Sequence, residues 1–188
     1  DNNKRILPWR KNTSKEQKLY FTLVSEFMLQ QTQVSTVIPY FKRFVQKIPN
    51  FKKLSKTNDQ TLMKLWEGLG YYSRARNLKK SAIMINGKFG GILPSNFEDL
   101  KSLPGVGDYT STAIMAIAFN QKFIPLDGNV ERILKRVLYL RNEKDISKEN
   151  MQISKNFFGL SERASDYAQA IMELGALVCR PTSPSVSY

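Results

Sequence analysis

Leu103-Pro104-Gly105-Val106-Gly107 breaks the chain between two helical patterns. The first opens at Ser95-Asn96-Phe97-Glu98, which reads as a capping box, and runs to about Leu103; the second runs from Thr110 to Phe119 and is rich in Ala and Thr. Gly at two alternating positions lets the backbone take positive φ and come close to another surface with no side chain between. The N–H groups of such a turn, with the N-terminus of the helix that follows, make a site for an anion such as a DNA phosphate. A merely structural helix–helix turn is the other account of these glycines. A phosphate held here positions the protein on a duplex and carries no sequence information.

Outward from this turn the apolar period is helical. Downstream, after Pro125, one helix carries Val130, Ile133, Leu134, Val137 and Leu138, and two more span residues 147–160 and 164–179. Upstream, a helix follows Ser73 through Leu78, Ala82 and Ile85 until Gly87, Gly90 and Gly91 stop it. A short one holds Leu62, Leu65 and Trp66 behind the cap Asn58. Before them lie a stripe from Val34 to Ile48, closed by Pro49, and a stripe of Leu19, Leu23 and Phe27 flanked by Tyr20, Val24 and Met28. No alternating strand pattern intervenes. The fold class is all-α, with about nine helices.

The 188 residues suit one ordinary domain or two small lobes, and 41% apolar residues suffice for a core. Lys and Arg number 29 against 16 Asp and Glu, a net charge of +13. Such an excess points to a polyanion partner, with solubility alone as the other account. No apolar run approaches the roughly 18 residues of a membrane span, and no signal-peptide pattern appears, so no membrane partner is expected. The one cysteine, Cys179, forms no intrachain disulfide and suits a reducing interior. Histidine is absent, which leaves acid–base chemistry to carboxylates, Tyr or Lys. The chain begins at Asp1 and stops on Ser187-Tyr188, and it reads as an excerpt.

The string Leu-Pro-Gly-Val-Gly between helices resembles the helix–hairpin–helix of DNA repair glycosylases, which makes Leu103, Gly105, Val106 and Gly107 candidate DNA contacts. The resemblance implies an Asp about 20 residues beyond the hairpin, and Pro125-Leu126-Asp127-Gly128-Asn129-Val130 supplies Asp127 there. Its carboxylate would stabilise the cationic sugar formed as the glycosidic bond breaks. An N-cap role also suits Asp127, and the two coexist. Asn129 would help to orient the water or the carboxylate. Members of the family that also cut the strand carry a Lys two residues after the second hairpin Gly; here Tyr109 stands there. Tyr forms no Schiff base, so a monofunctional enzyme is expected.

Ser25-Glu26-Phe27-Met28-Leu29-Gln30-Gln31-Thr32-Gln33-Val34 closely resembles the signature of MutY-type adenine glycosylases. In that resemblance Glu26 is the general acid that protonates N7 of adenine, a poor leaving group until protonated. A carboxyl in a partly apolar pocket holds its proton better than one in water. For a helical Glu without this context, a surface place is the ordinary reading. Gln31 and Tyr71, the latter in Gly68-Leu69-Gly70-Tyr71-Tyr72-Ser73-Arg74-Ala75-Arg76, resemble residues that probe or wedge into the duplex, with plain core as the alternative for Tyr71. Arg74 and Arg76 are read as phosphate contacts or as a solvated face. Trp9 and Arg10 resemble the segment lining the adenine pocket, and Gln169 resembles a position that hydrogen-bonds the adenine edge.

The resemblance extends from Leu7 to Pro184. It implies two helical lobes, residues 20–125 with the hairpin at 103–107 and residues 1–19 plus 126–188, with the active-site cleft between them. The expected activity is hydrolysis of adenine from a mispair with 8-oxoguanine or guanine in base excision repair. The expected partner is double-stranded DNA bearing that mispair, bound by a monomer at an intracellular, DNA-associated location. Two rivals stay open: a glycosylase for mismatched thymine or another base, and a non-catalytic helix–hairpin–helix DNA-binding module. The family's 4Fe-4S cluster needs four thiolates. Cys179 matches the first ligand, Val186 occupies the second position, and the chain ends before the other two, so no cofactor is expected in this chain. The family's C-terminal domain, which recognises oxidised guanine, is not represented.

Overall fold

A computed structural model describes residues 5–11, 13–137 and 162–182. Among the described residues are nine α-helices and a 3-10 turn, with no strand. The turn is Pro8–Arg10; the helices are α1 Lys15–Leu29, α2 Val34–Lys47, α3 Phe51–Lys56, α4 Asp59–Trp66, α5 Ser73–Lys88, α6 Phe97–Lys101, α7 Asp108–Ile117, α8 Gly128–Val137 and α9 Ala164–Leu177. The fold is all-α. Leu138, the helix expected over 147–160, and Val186 lie outside the described residues. Two compact units emerge, Ile6–Gly107 and Asp1–Arg5 with Asp108–Tyr188. The division therefore falls on the last hairpin residue and before the 3-10 turn, where the expected lobe limits lay at 19/20 and 125/126.

The Ile6–Gly107 unit is built around α1. Ser14 caps it by accepting the Gln17 N–H at 3.3 Å, and Leu19 through Met28 are buried without interruption. A helix buried on every side must be wrapped by its neighbours, and α2, α5 and the 3-10 turn pack against it. The filling is aromatic: Trp9 and Phe21 each meet Phe41 edge-on at 5.3 Å, Phe44 meets Trp66 at 6.0 Å, and Tyr20 meets Phe51 at 5.0 Å. The phenol of Tyr20 donates to the Ile48 carbonyl, 2.6 Å away.

Two local expectations need correction. Helix α3 was not foreseen: it is one and a half turns long, four of its six residues are Lys or Ser, and only Phe51 and Leu54 are buried. Its visible signal is the cap Asn50, which accepts the Lys53 N–H at 2.8 Å. The capping box is shifted by one residue, because Asn96 rather than Ser95 caps α6, accepting the Asp99 N–H at 2.8 Å. Asn outcompetes Ser here because its amide also donates to the Asp99 carboxylate.

In the other unit α9 packs against α7 and α8. Ile124, Val130, Ile133, Leu134, Ala164 and Ile171 make its core, with Leu126, Met172 and Cys179 against it. Arg5 grips Glu173 through two bonds of 2.6 and 2.9 Å and so fastens the start of the chain to α9. Gly175 is the close-approach point of α8 and α9, since a Cβ there would lie 2.7 Å from that of Asn129.

Burial raises the pKa of the Tyr20 phenol above its ordinary value. Folding thus favours the protonated form, so the associated stability is intact below about pH 10 and is lost as pH climbs beyond it. Tyr20→Phe is expected to lose about 1 kcal/mol at neutral pH, because the buried Ile48 carbonyl loses its donor. In urea denaturation its stability falls less steeply than wild type above about pH 10; identical alkaline slopes contradict this.

Candidate functional site

The break between α6 and α7 is anchored from inside by Leu103 and Val106, both buried, with the Val106 N–H bonding the Leu103 carbonyl at 3.0 Å. Ser81 Oγ donates to the Pro104 carbonyl at 2.8 Å, and the Gln30 side chain donates to the Gly105 carbonyl at 3.3 Å. The three carbonyls are thus occupied from within the unit. The N–H groups of Gly105 and Gly107 donate to no acceptor among the described residues. Gly105 has φ +82°, and a Cβ on it would stand 2.9 Å from Phe27 Cε1 and from Asn77 Cβ. The space about Gly107 is open. A backbone with its acceptors turned in and its donors left over is electropositive, and α7 follows at once.

Glu26 lies on α1 in the same unit and is 4% exposed, which rules out a surface place. Its neighbour Phe27 is the residue against which Gly105 packs, so the helix of Glu26 is the wall behind the hairpin. Past the end of α1 the chain turns through Gln31, exposed and at φ +54°. Tyr71, ahead of α5, has φ +47° and is 61% exposed, so it is not core. Trp9 is buried edge-on against Phe41; Arg10 is half-buried at the end of the 3-10 turn, and Arg76 is exposed on α5.

Arg74 departs from both of its expected places. It is 6% exposed, neither on a solvated face nor offered to a phosphate. Nη1 donates to the carbonyls of Phe27, Met28 and Gln30, and Nη2 to those of Leu69 and Gly70. Its guanidinium carbon sits 5.7 Å from the Trp66 ring centre and 5.4 Å from that of Tyr71. Burial pulls its pKa below the ordinary arginine value, and Tyr71 acts in the opposite direction. An isolated buried cation is costly, and a shell of carbonyls with two aromatic faces is what makes it tolerable.

Asp127 belongs to the other unit and caps α8. Its Oδ1 accepts the N–H groups of Asn129 at 2.9 Å and Val130 at 2.7 Å, and its Oδ2 accepts the Asn129 amide at 3.4 Å. The helix N-terminus holds this carboxylate in one orientation while leaving it half-buried. Asn129 is itself fixed: it is pressed against Gly175, and its Oδ1 accepts from Arg132 at 2.8 Å. Arg132 further donates to the carbonyls of Gly175 and Cys179. Its place one turn past Asn129 was the available signal, and sequence reasoning missed it. Gln169, half-buried on α9, turns its amide nitrogen to Ser165, and Tyr109 lies in the first turn of α7.

The residues present do not fit an iron–sulfur cluster. Cys179 is the sole thiol of the chain, it packs on the apolar core and its Sγ accepts from Arg136 at 3.2 Å. Among the described residues no group of three or more Cys, His, Asp or Glu is poised to hold a metal. Among them too, no helix is long and apolar enough to cross a membrane.

The chain matches the HhH-GPD superfamily base excision DNA repair protein family over residues 24–157. It is 43% identical to the adenine DNA glycosylase of Rattus norvegicus, over 100% of this chain and 38% of that protein. It is 39% identical to the adenine DNA glycosylase of Buchnera aphidicola subsp. Baizongia pistaciae, over 96% of this chain and 50% of that protein. The chain therefore spans half or less of these relatives. A thermostable thymine-DNA glycosylase of known structure is similar at a TM-score of 0.79 and 26% identity, over 96% of this chain and 82% of that one. Gly105→Ala is expected to cost roughly 1–3 kcal/mol, from left-handed backbone and the contacts with Phe27 and Asn77. Chemical denaturation measures it, and a change under about 0.5 kcal/mol contradicts the packing described.

Proposed function

The chain belongs to the HhH-GPD superfamily of base excision DNA repair proteins, and we propose that it is the catalytic part of a monofunctional DNA glycosylase. Its substrate in this reading is duplex DNA, from which it hydrolyses adenine mispaired with 8-oxoguanine or guanine. The observation that carries the proposal is Glu26, a carboxyl 4% exposed on the helix behind the hairpin. The whole-chain similarity to adenine DNA glycosylases supports the choice of base, since identity to the thymine-DNA glycosylase is lower, 26% against 43%.

The chemistry assigns each carboxylate one task. Glu26 gives its proton to N7 of the extruded adenine, and the C1′–N9 bond breaks with its electron pair passing to the base. The sugar becomes a cation, and the Asp127 carboxylate lowers its energy. Water adds to C1′ and yields its proton to the Glu26 carboxylate, which restores the acid. Asn129 keeps Asp127 oriented through its amide and main-chain N–H. Tyr109 has no amine with which to form an imine, so the strand stays uncut.

The remaining residues bind. Hairpin amides at Gly105 and Gly107, on a turn shaped by Leu103 and Val106, hold a phosphate, and Arg76 meets another from α5. Gln31 and Tyr71 occupy the stack vacated by the base. Trp9 and Arg10 shape the adenine pocket, and Gln169 reads the adenine edge with its amide. The protein acts as a monomer on intracellular DNA.

Glu26→Gln should abolish excision while leaving duplex affinity within a few-fold, because an amide donates no proton but has the same shape. An active variant removes Glu26 from the general-acid role. Borohydride should trap no covalent DNA adduct, and strong trapping overturns the monofunctional assignment. Affinity should fall steeply as salt rises, as it does when several phosphates are neutralised, and a flat salt dependence opposes the phosphate contacts.

A further inference from the structure

We infer that Arg74 is a positioning residue that holds Gln31 and Tyr71 on one preformed edge beside the hairpin turn, ready to enter a duplex together. The inference rests on the DNA reading above and extends it to a residue that touches no DNA. Three non-glycine residues have positive φ among the described residues, and two of them are Gln31 and Tyr71. Each follows directly on a carbonyl that Arg74 holds: Gln30 before Gln31, and Gly70 before Tyr71. That carbonyl belongs to the peptide plane preceding the left-handed residue, so fixing it restricts the φ that L side chains otherwise avoid.

The same guanidinium stands over the Tyr71 ring, which limits where that exposed side chain can swing. Gln30, whose carbonyl Arg74 holds, also reaches the Gly105 carbonyl with its side chain. One cation thus ties together the end of α1, the loop before α5 and the hairpin turn. The task calls for Arg: its planar fork reaches separate acceptors at fixed angles, whereas an ammonium is a point charge on a flexible stem. Left-handed non-glycine residues are retained where surrounding structure over-determines them, and functional edges are where they gather.

The test compares wild type with Arg74→Lys, which keeps the charge and loses the fork. Amide hydrogen exchange is expected to rise about ten-fold at residues 32 and 74, whose N–H groups bond the Leu29 and Tyr71 carbonyls at 3.1 and 2.9 Å, while protection in the middle of α1 and α5 is retained. Single-turnover release of adenine from an adenine:8-oxoguanine duplex should drop about ten-fold, with affinity for an undamaged duplex within about two-fold. In a Gln31→Ala/Tyr71→Ala background the same Lys substitution should lower the rate no further, since Arg74 acts through that pair. Unchanged exchange at residues 32 and 74, full additivity in that background, or loss of protection throughout α1 and α5 each overturns the inference. A wild-type chain that releases no adenine sinks the proposed function instead, and the exchange comparison still judges Arg74.

Discussion

The last turn of α1 presents carbonyls that no helical N–H can reach, and the guanidinium of Arg74 is what meets them. Positive charge is also what the negative end of a helix favours, so the pairing is electrostatic as well as directional. The arrangement demands that Arg74 be buried, that Trp66 and Tyr71 flank it, and that the chain before α5 turn its own carbonyls inward. Once these demands are met, α1 ends at a defined place. Glu26 and Phe27 sit one turn back from that end, and Phe27 is the surface on which the hairpin glycine rests. The hairpin and the buried carboxyl thus belong to one compact unit.

The two carboxylates assigned to the proposed reaction have different surroundings. Glu26 is buried on α1, whose residues Leu19 through Met28 are all buried. Asp127 is met by main-chain N–H groups at the start of α8 and by the Asn129 amide, which fix the direction of its carboxylate. In the proposed reaction the first gives a proton and the second faces a cation. Capping and the proposed catalytic role do not compete at Asp127, because the bonds that satisfy the helix also fix the carboxylate.

Features set by local chemistry were legible in the sequence. The all-α class followed from apolar spacing, and the hairpin from two glycines in a short Leu-Pro-Gly-Val-Gly string. Asp127 as a cap followed from its place before Val130, Ile133 and Leu134. Features set by packing were not legible. Arg74 reads as a surface charge because nothing in its neighbours announces five carbonyls contributed by two separated segments. Helix α3 hid behind its lysines, since two buried residues make no periodic stripe. Trp9 gave no sign that it would lie against Phe41, and Arg132 gave little that it would bind Asn129, Gly175 and Cys179 together. Glu26 is the intermediate case: its motif marked it, but only the fold shows how completely α1 is enclosed.

The most direct measurement of the central claim is base release, under single turnover, from duplexes that differ only in one pair. The pairs are adenine opposite 8-oxoguanine, adenine opposite guanine, thymine opposite guanine, and adenine opposite thymine. The account predicts free adenine from the first two and no base from the last two. Release of thymine, or of no base from any duplex, contradicts it.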